Sequence, residues 1–148
     1  MKREGHNHKD PSCAICELDR TGLRVTKQRE TIVDVLFDVD NPISADEIHY
    51  ELKSRDVDIN LSTVYRSLEK FVVNDLVEKT FLLDENKALY AINTHEHHHH
   101  LVCRNCKNVV VIPGCPLESY ELEVEKDYGY KISGHKLELY GVCPKCQK

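Results

Sequence analysis

The chain lacks a long apolar run, an excess of positive charge and an even number of cysteines, and each shortfall excludes something. No stretch of its 148 residues approaches the roughly 20 apolar residues that a bilayer-spanning helix needs, so no membrane partner is expected. Met1-Lys-Arg-Glu-Gly5 is not followed by a hydrophobic signal segment, and the expected location is the cytoplasm. In that reducing compartment seven cysteines are better read as metal ligands than as bridges, and an odd count already leaves one without a disulfide partner. The formal charge is -5, from 20 Lys and Arg against 25 Asp and Glu, and the first 80 residues carry 12 against 16. Phosphate binding runs on Lys and Arg. A nucleic-acid partner would therefore require basic side chains placed locally, and something such as a bound divalent cation to suppress repulsion elsewhere. A hydrophobic content of 41% supports one modest core or two small ones, and the pattern fits two.

What is present is concentrated in His95-Glu-His-His-His-His-Leu-Val-Cys-Arg-Asn-Cys106. If Leu101 and Val102 continue an extended segment, side chains alternate faces, so His98 and His100 point one way and His97 and His99 the other. One short strand could feed two metal sites. Cys103-x-x-Cys106 has the spacing of a zinc knuckle, and Cys143-Pro-Lys-Cys146 matches it, giving the four thiolates of a tetrahedral structural zinc. A thioredoxin-like redox pair would need a βαβ context that neither knuckle has. A zinc deaminase would need H-x-E and P-C-x-x-C, and the order here is His95-Glu96-His97 and Cys143-Pro144-Lys145-Cys146. An enzyme is not expected, since a four-thiolate zinc keeps no open position for chemistry.

Along the chain, residues 1–19 lack hydrophobic periodicity and read as a flexible arm, with His6, His8, Cys13 and Cys16 as possible metal ligands. Thr26 caps a helix whose Ile32, Val33, Leu36 and Phe37 share a face. Ser44-Ala-Asp-Glu47 is a capping box opening a second helix through Ile48 and Leu52. A third starts at Leu61 with Val64, Leu68, Phe71 and Val72 as its core stripe, while Ser62, Thr63, Tyr65, Arg66 and Lys70 stand on the opposite face as side chains suited to phosphates and base edges. Two β-leaning runs, 76–83 and 88–92, surround the polar turn Asp84 to Lys87. Three helices followed by a hairpin make a winged helix, here residues 20–93. Beyond it, 94–148 read as a small α/β domain: a strand over 108–112, a helix opened by Cys115-Pro116 with Leu117, Tyr120 and Val124 on one face, and strands at 131–133 and 136–140. Cys115 reads as structural, at the capping position before Pro116. So small a module needs zinc and a partner subunit as supports.

The motifs Gly22-Leu-Arg-Val-Thr26, Ser62-Thr-Val-Tyr-Arg66, His97 to Cys106 and Tyr140-Gly-Val-Cys-Pro-Lys-Cys146, in that order, resemble the ferric uptake regulator family of metal-responsive repressors. Gly114-Cys-Pro116 and Gly129 to Lys136 are most similar to its zinc uptake regulator branch. The resemblance implies an α/β (α+β) protein, a winged-helix DNA-binding domain followed by a dimerisation domain with a four-cysteine zinc site, acting as a homodimer on palindromic double-stranded operator DNA. It implies a structural Zn2+ at Cys103, Cys106, Cys143 and Cys146, and a sensory site at Glu78, His98 and His100 for Zn2+, Fe2+ or Mn2+. A second site would take His97, His99, Glu118 and His135. Arg24 joins Ser62, Thr63, Tyr65, Arg66 and Lys70 as expected DNA contacts. The chain departs from the family where zinc sensors often supply a cysteine, here Ile92, and where many iron sensors supply a histidine, here Pro42, which leaves a fourth sensory ligand unassigned. Zinc-responsive control of metal uptake genes is the expected function. The alternatives are an iron-, manganese- or peroxide-responsive regulator of the same family, or a metal buffer or chaperone that touches no DNA.

Overall fold

A computed structural model describes residues 13–82, 86–94 and 96–148. His6, His8, the turn residues Asp84 and Glu85, and His95 lie outside them. The chain divides into two compact units, 1–94 and 95–148.

The first unit is a winged helix built on α1 (Ala14–Arg20), α2 (Lys27–Asp38), α3 (Ala45–Ser54) and α4 (Leu61–Val73), closed by the antiparallel pair β1 (Val77–Phe81) and β2 (Ala88–Ile92). Helix starts follow local chemistry: Thr26 accepts from the Arg29 amide at 3.3 Å, and Ser44 and Glu47 exchange the reciprocal bonds of a capping box. Ile32, Val33, Leu36, Ile48, Leu52, Val64, Leu68 and Phe71 form one core, with Tyr90 of the hairpin fully buried against it. The backbone of Ile43, between α2 and α3, pairs both ways with Tyr90 at 3.0 and 2.7 Å, so the hairpin is fastened to the helices.

The arm expected over 1–19 does not extend that far. From Ala14 the chain is helical, and Ala14 and Leu18, one turn apart, are buried in the same core. Seven residues with two apolar contacts are too short to show a period.

The second unit is a three-stranded sheet in the order β4 (Val109–Pro113), β3 (His98–Cys103), β5 (Glu138–Gly141), with β5 parallel to β3, and one helix, α5 (Glu118–Tyr128). Three expectations fail here. Residues 131–133 form no strand, and α5 starts two residues beyond Pro116, capped by Leu117 without a side-chain bond. The face expected from Leu117, Tyr120 and Val124 is not buried: α5 has no buried residue, and Tyr120, Leu122 and Tyr128 are exposed. Only His99, His100, Val102, Cys103 and Val109 are buried among the described residues of this unit. A core of five side chains, two of them imidazoles, is too small to hold a unit of this size by apolar burial.

Candidate functional site

Strand topology assembles the cysteine site. Because β5 runs parallel to β3 with Cys103 opposite Gly141, the turn after β5 lands beside the turn after β3, and each turn carries a C-x-x-C. The sulfurs of Cys103, Cys106, Cys143 and Cys146 all lie within 4.8 Å of one another. The Cys106 amide, and then the Cys143 amide, which donates to Cys103 Sγ at 3.3 Å, bring the Cys103 thiol down to about 6. Hydrogen bonds to the Cys143 and Cys106 thiols instead push Cys146 up to about 12. Amides aimed at sulfur stabilise thiolate, yet four thiolates at this spacing repel one another unless a cation lies among them. The donor set suits a structural tetrahedral zinc.

The histidines divide between the two faces of β3. The rings of His98 and His100 are 5.5 Å apart, and those of His97 and His99 are 4.7 Å apart beside His135. His98 Nδ1 donates to the Glu96 carbonyl at 3.0 Å, which leaves Nε2 as its lone-pair nitrogen. Glu78 stands half-buried in β1 of the first unit, opposite Ala91.

On the other face, His135 Nε2 lies 2.8 Å from His97 Nε2, 3.2 Å from His99 Nε2 and 3.3 Å from Cys115 Sγ. The His135 Nδ1 faces the Glu121 carboxylate. Burial, then the proximity of His97 and His135, holds His99 below the usual histidine value and so in the neutral form that ligates metal. The composition of this group differs from the expected one. Glu118 is exposed and stands outside it, and Cys115 stands inside. Cys115 does accept from the Leu117 amide at 3.4 Å, but α5 is capped at Leu117, so capping alone does not account for the thiol among three imidazoles. Sequence reasoning missed Cys115 and Glu121 because both meet His135 across 14 to 20 residues.

Cys13 caps α1, its sulfur accepting from the Cys16 amide at 3.3 Å, and a hydrogen bond between the two thiols is the leading cause pushing Cys16 up to about 11. Among the described residues, no third ligand joins this pair.

The first unit carries a cleft of about 290 Å³ between the start of α2 and the exposed face of α4. Arg24, Arg29, Arg66 and Lys70 line it with Thr26, Gln28, Thr63 and Ser67, and no carboxylate is among them. In a chain of net charge -5 this is the local basic placement that phosphate contact requires. Arg66 donates to Thr63 at 3.2 Å, and Arg29 to the Arg24 carbonyl at 2.8 Å. Ser62 and Tyr65 are exposed on the same helix outside the cleft lining. Arg29 was not expected there. The close run of Arg24, Lys27 and Arg29 was the available signal.

A family model described as "Ferric uptake regulator family" matches residues 20–140. The ferric uptake regulation protein of Bordetella parapertussis is 35% identical over 133 residues, 89% of this chain and 95% of that protein. The zinc uptake regulation protein of Mycobacterium tuberculosis is also 35% identical, over 130 residues, 88% of this chain and 99% of that one. Among solved structures, the Helicobacter pylori ferric uptake regulator, described as having three functional metal binding sites, superimposes with a TM-score of 0.75 at 27% identity, covering 88% of this chain and 87% of that one. Two clusters in one unit whose thiol and imidazole donors could each hold a metal ion, a basic cleft on a winged helix in the other, and a match that runs through both have one reading: the chain belongs to the ferric uptake regulator family, and is a metal-dependent transcription regulator, not an enzyme.

Proposed function

We propose that the chain is a cytoplasmic homodimeric repressor that binds palindromic operator DNA when Glu78, His98 and His100 hold a divalent metal, and that the metal is zinc, controlling metal uptake genes. The observation that carries this reading is the pairing of His98 and His100 on the face of β3 away from the His97, His99 and His135 group, a few residues beyond the division between the two units. On this reading the pair shares its metal with Glu78 of the other unit, and only a metal held by both units can make its affinity depend on the angle between them. Shifting such an equilibrium from mostly open to mostly closed takes about 5.5 kcal/mol of differential metal affinity. At the DNA, Arg66, Lys70 and Arg24 meet phosphates while Ser62, Thr63 and Tyr65 reach base edges.

The choice of zinc is supported by the similarity to the zinc uptake regulation protein. A second reading, an iron(II)- or manganese(II)-responsive regulator, draws on Ile92: no thiol is available there, and a carboxylate with two imidazoles also suits those harder ions. Fluorescence anisotropy on palindromic DNA, titrated with zinc, manganese(II) and iron(II), separates the two. Replacing His98 and His100 by Ala is expected to leave a soluble, zinc-containing dimer whose DNA affinity no longer rises with metal, and an intact metal response in that mutant would refute the sensory assignment.

A further inference from the structure

We propose that Cys13 and Cys16 form a redox-active dithiol in the first unit, at which the disulfide of a small thiol compound exchanges to leave a reversible Cys13–Cys16 bond. The proposal does not rest on the repressor reading, since the chemistry needs only the two thiols and their oxidant.

The geometry favours ring closure. The Glu17 amide donates to the Cys13 carbonyl at 3.0 Å, which puts Cys13 in helical register one turn before Cys16. At that spacing the two Cα atoms stand about 5 Å apart, within the roughly 4.4 to 6.8 Å that a disulfide spans. The side chains have already met. Cys13 Sγ accepts from the Cys16 amide at 3.3 Å, and the two thiols share a hydrogen bond that keeps the proton on Cys16. Both residues are half-buried, so part of each stays within reach of a small reagent.

The other five cysteines stand in different company. Cys103, Cys106, Cys143 and Cys146 make a shell suited to zinc, and Cys115 lies against His135. Among the described residues no third metal-ligating group joins Cys13 and Cys16, so sulfur chemistry there competes with no complete metal shell.

The exchange runs in two steps. Cys13 Sγ attacks one sulfur of the external disulfide, whose S–S bond breaks and releases one thiol, leaving a mixed disulfide on Cys13. That step also removes the acceptor that held the Cys16 proton. Cys16 Sγ then attacks Cys13 Sγ, the mixed disulfide breaks, and the second thiol leaves. Two electrons pass from the pair to the external disulfide, and the two thiol protons end on the released thiols. The new ring encloses Ala14, one of the two core contacts of a helix only seven residues long. At the other end of α1 the Leu23 amide donates to the Leu18 carbonyl at 3.0 Å, and the next residue, Arg24, lines the basic cleft. Oxidation therefore fixes the start of the segment that leads into that cleft.

The test uses the full zinc-loaded chain with oxidised glutathione as the probe. Samples are quenched in acid, alkylated and mapped by mass spectrometry, while a colorimetric assay follows released zinc. The expected result is loss of both alkylatable thiols from the peptide that holds Cys13 and Cys16, no released zinc, and full recovery with dithiothreitol. Cys16→Ser should stop at a glutathione adduct on Cys13. Amide exchange across 14–20 should be slower in the oxidised chain than in the reduced one. Zinc release that precedes the Cys13–Cys16 bond, a bond from either cysteine to any other residue, an adduct on Cys16 as the intermediate, or unchanged exchange across α1 overturns the proposal. The mapping reads the unmutated chain, so a variant that fails to fold does not shelter it.

Discussion

Leu18 has no exposed surface, although it belongs to a helix of only seven residues. Its side chain and that of Ala14 fill the same core as α2, α3 and α4, so α1 is held by what it buries rather than by its own length. Leu18→Ala should cost the first unit about 3 kcal/mol, the usual loss for a buried leucine, in urea unfolding followed by circular dichroism. Arg20→Ala removes only the exposed pair with Glu17, 2.6 Å, and should cost less than about 0.5 kcal/mol. Equal costs would mean that α1 does not pack as described. Residues such as Leu18 and Cys115 were illegible for one reason: their partners are distant in sequence, and neither spacing nor period announces them. The four knuckle cysteines were legible because C-x-x-C fixes a turn locally, and the only long-range fact required was that two such turns meet.

The helix starts signalled by Thr26 and by the Ser44 box lie where the sequence puts them, whereas α5 begins two residues beyond its proline and has no side-chain cap bond. The α3 box shows what such a signal does. Ser44 donates to Glu47 Oε2 from both its amide and its hydroxyl, each at 2.7 Å. Burial alone would raise the Glu47 carboxyl, but these two bonds, with Lys87 at 3.9 Å, leave it lowered. A lowered folded value means stability that is present above the ordinary carboxylate range and lost as pH falls through the folded value. Ser44→Ala should therefore cost about 1 kcal/mol near pH 7 and distinctly less near pH 3, measured by urea unfolding at both. A cost that does not change with pH would separate the cap from the ionised Glu47. The exposed face of α4 makes a second test at this scale. Arg66→Ala or Lys70→Ala should weaken DNA binding for all sequences alike and lower the slope of log affinity against log salt by about 1 per protomer. A loss confined to one base position would turn a phosphate contact into a base contact.

The two units differ in what can hold them together. The first has an apolar core that spans four helices and a hairpin; the second buries five side chains among its described residues and places two ligand clusters at the ends of its central strand. Its folding free energy must then come from metal binding and from whatever covers Tyr120, Leu122 and Tyr128, which dimers of this family can supply. Removing metal from the full chain with a strong chelator under reducing conditions should therefore collapse amide protection across 96–148 and leave that of 13–82 largely intact, as read by hydrogen exchange. The loss should appear in two stages, because the clusters differ in donors: the four-cysteine site is the tighter, so exchange should first quicken around 115–135, and only when the last zinc leaves should β3, β4 and β5 open together. Protection of β3 that persists at zero measured metal would show that subunit contacts alone carry the fold. Simultaneous loss across both units would show that they unfold as one, against the separate cores seen here.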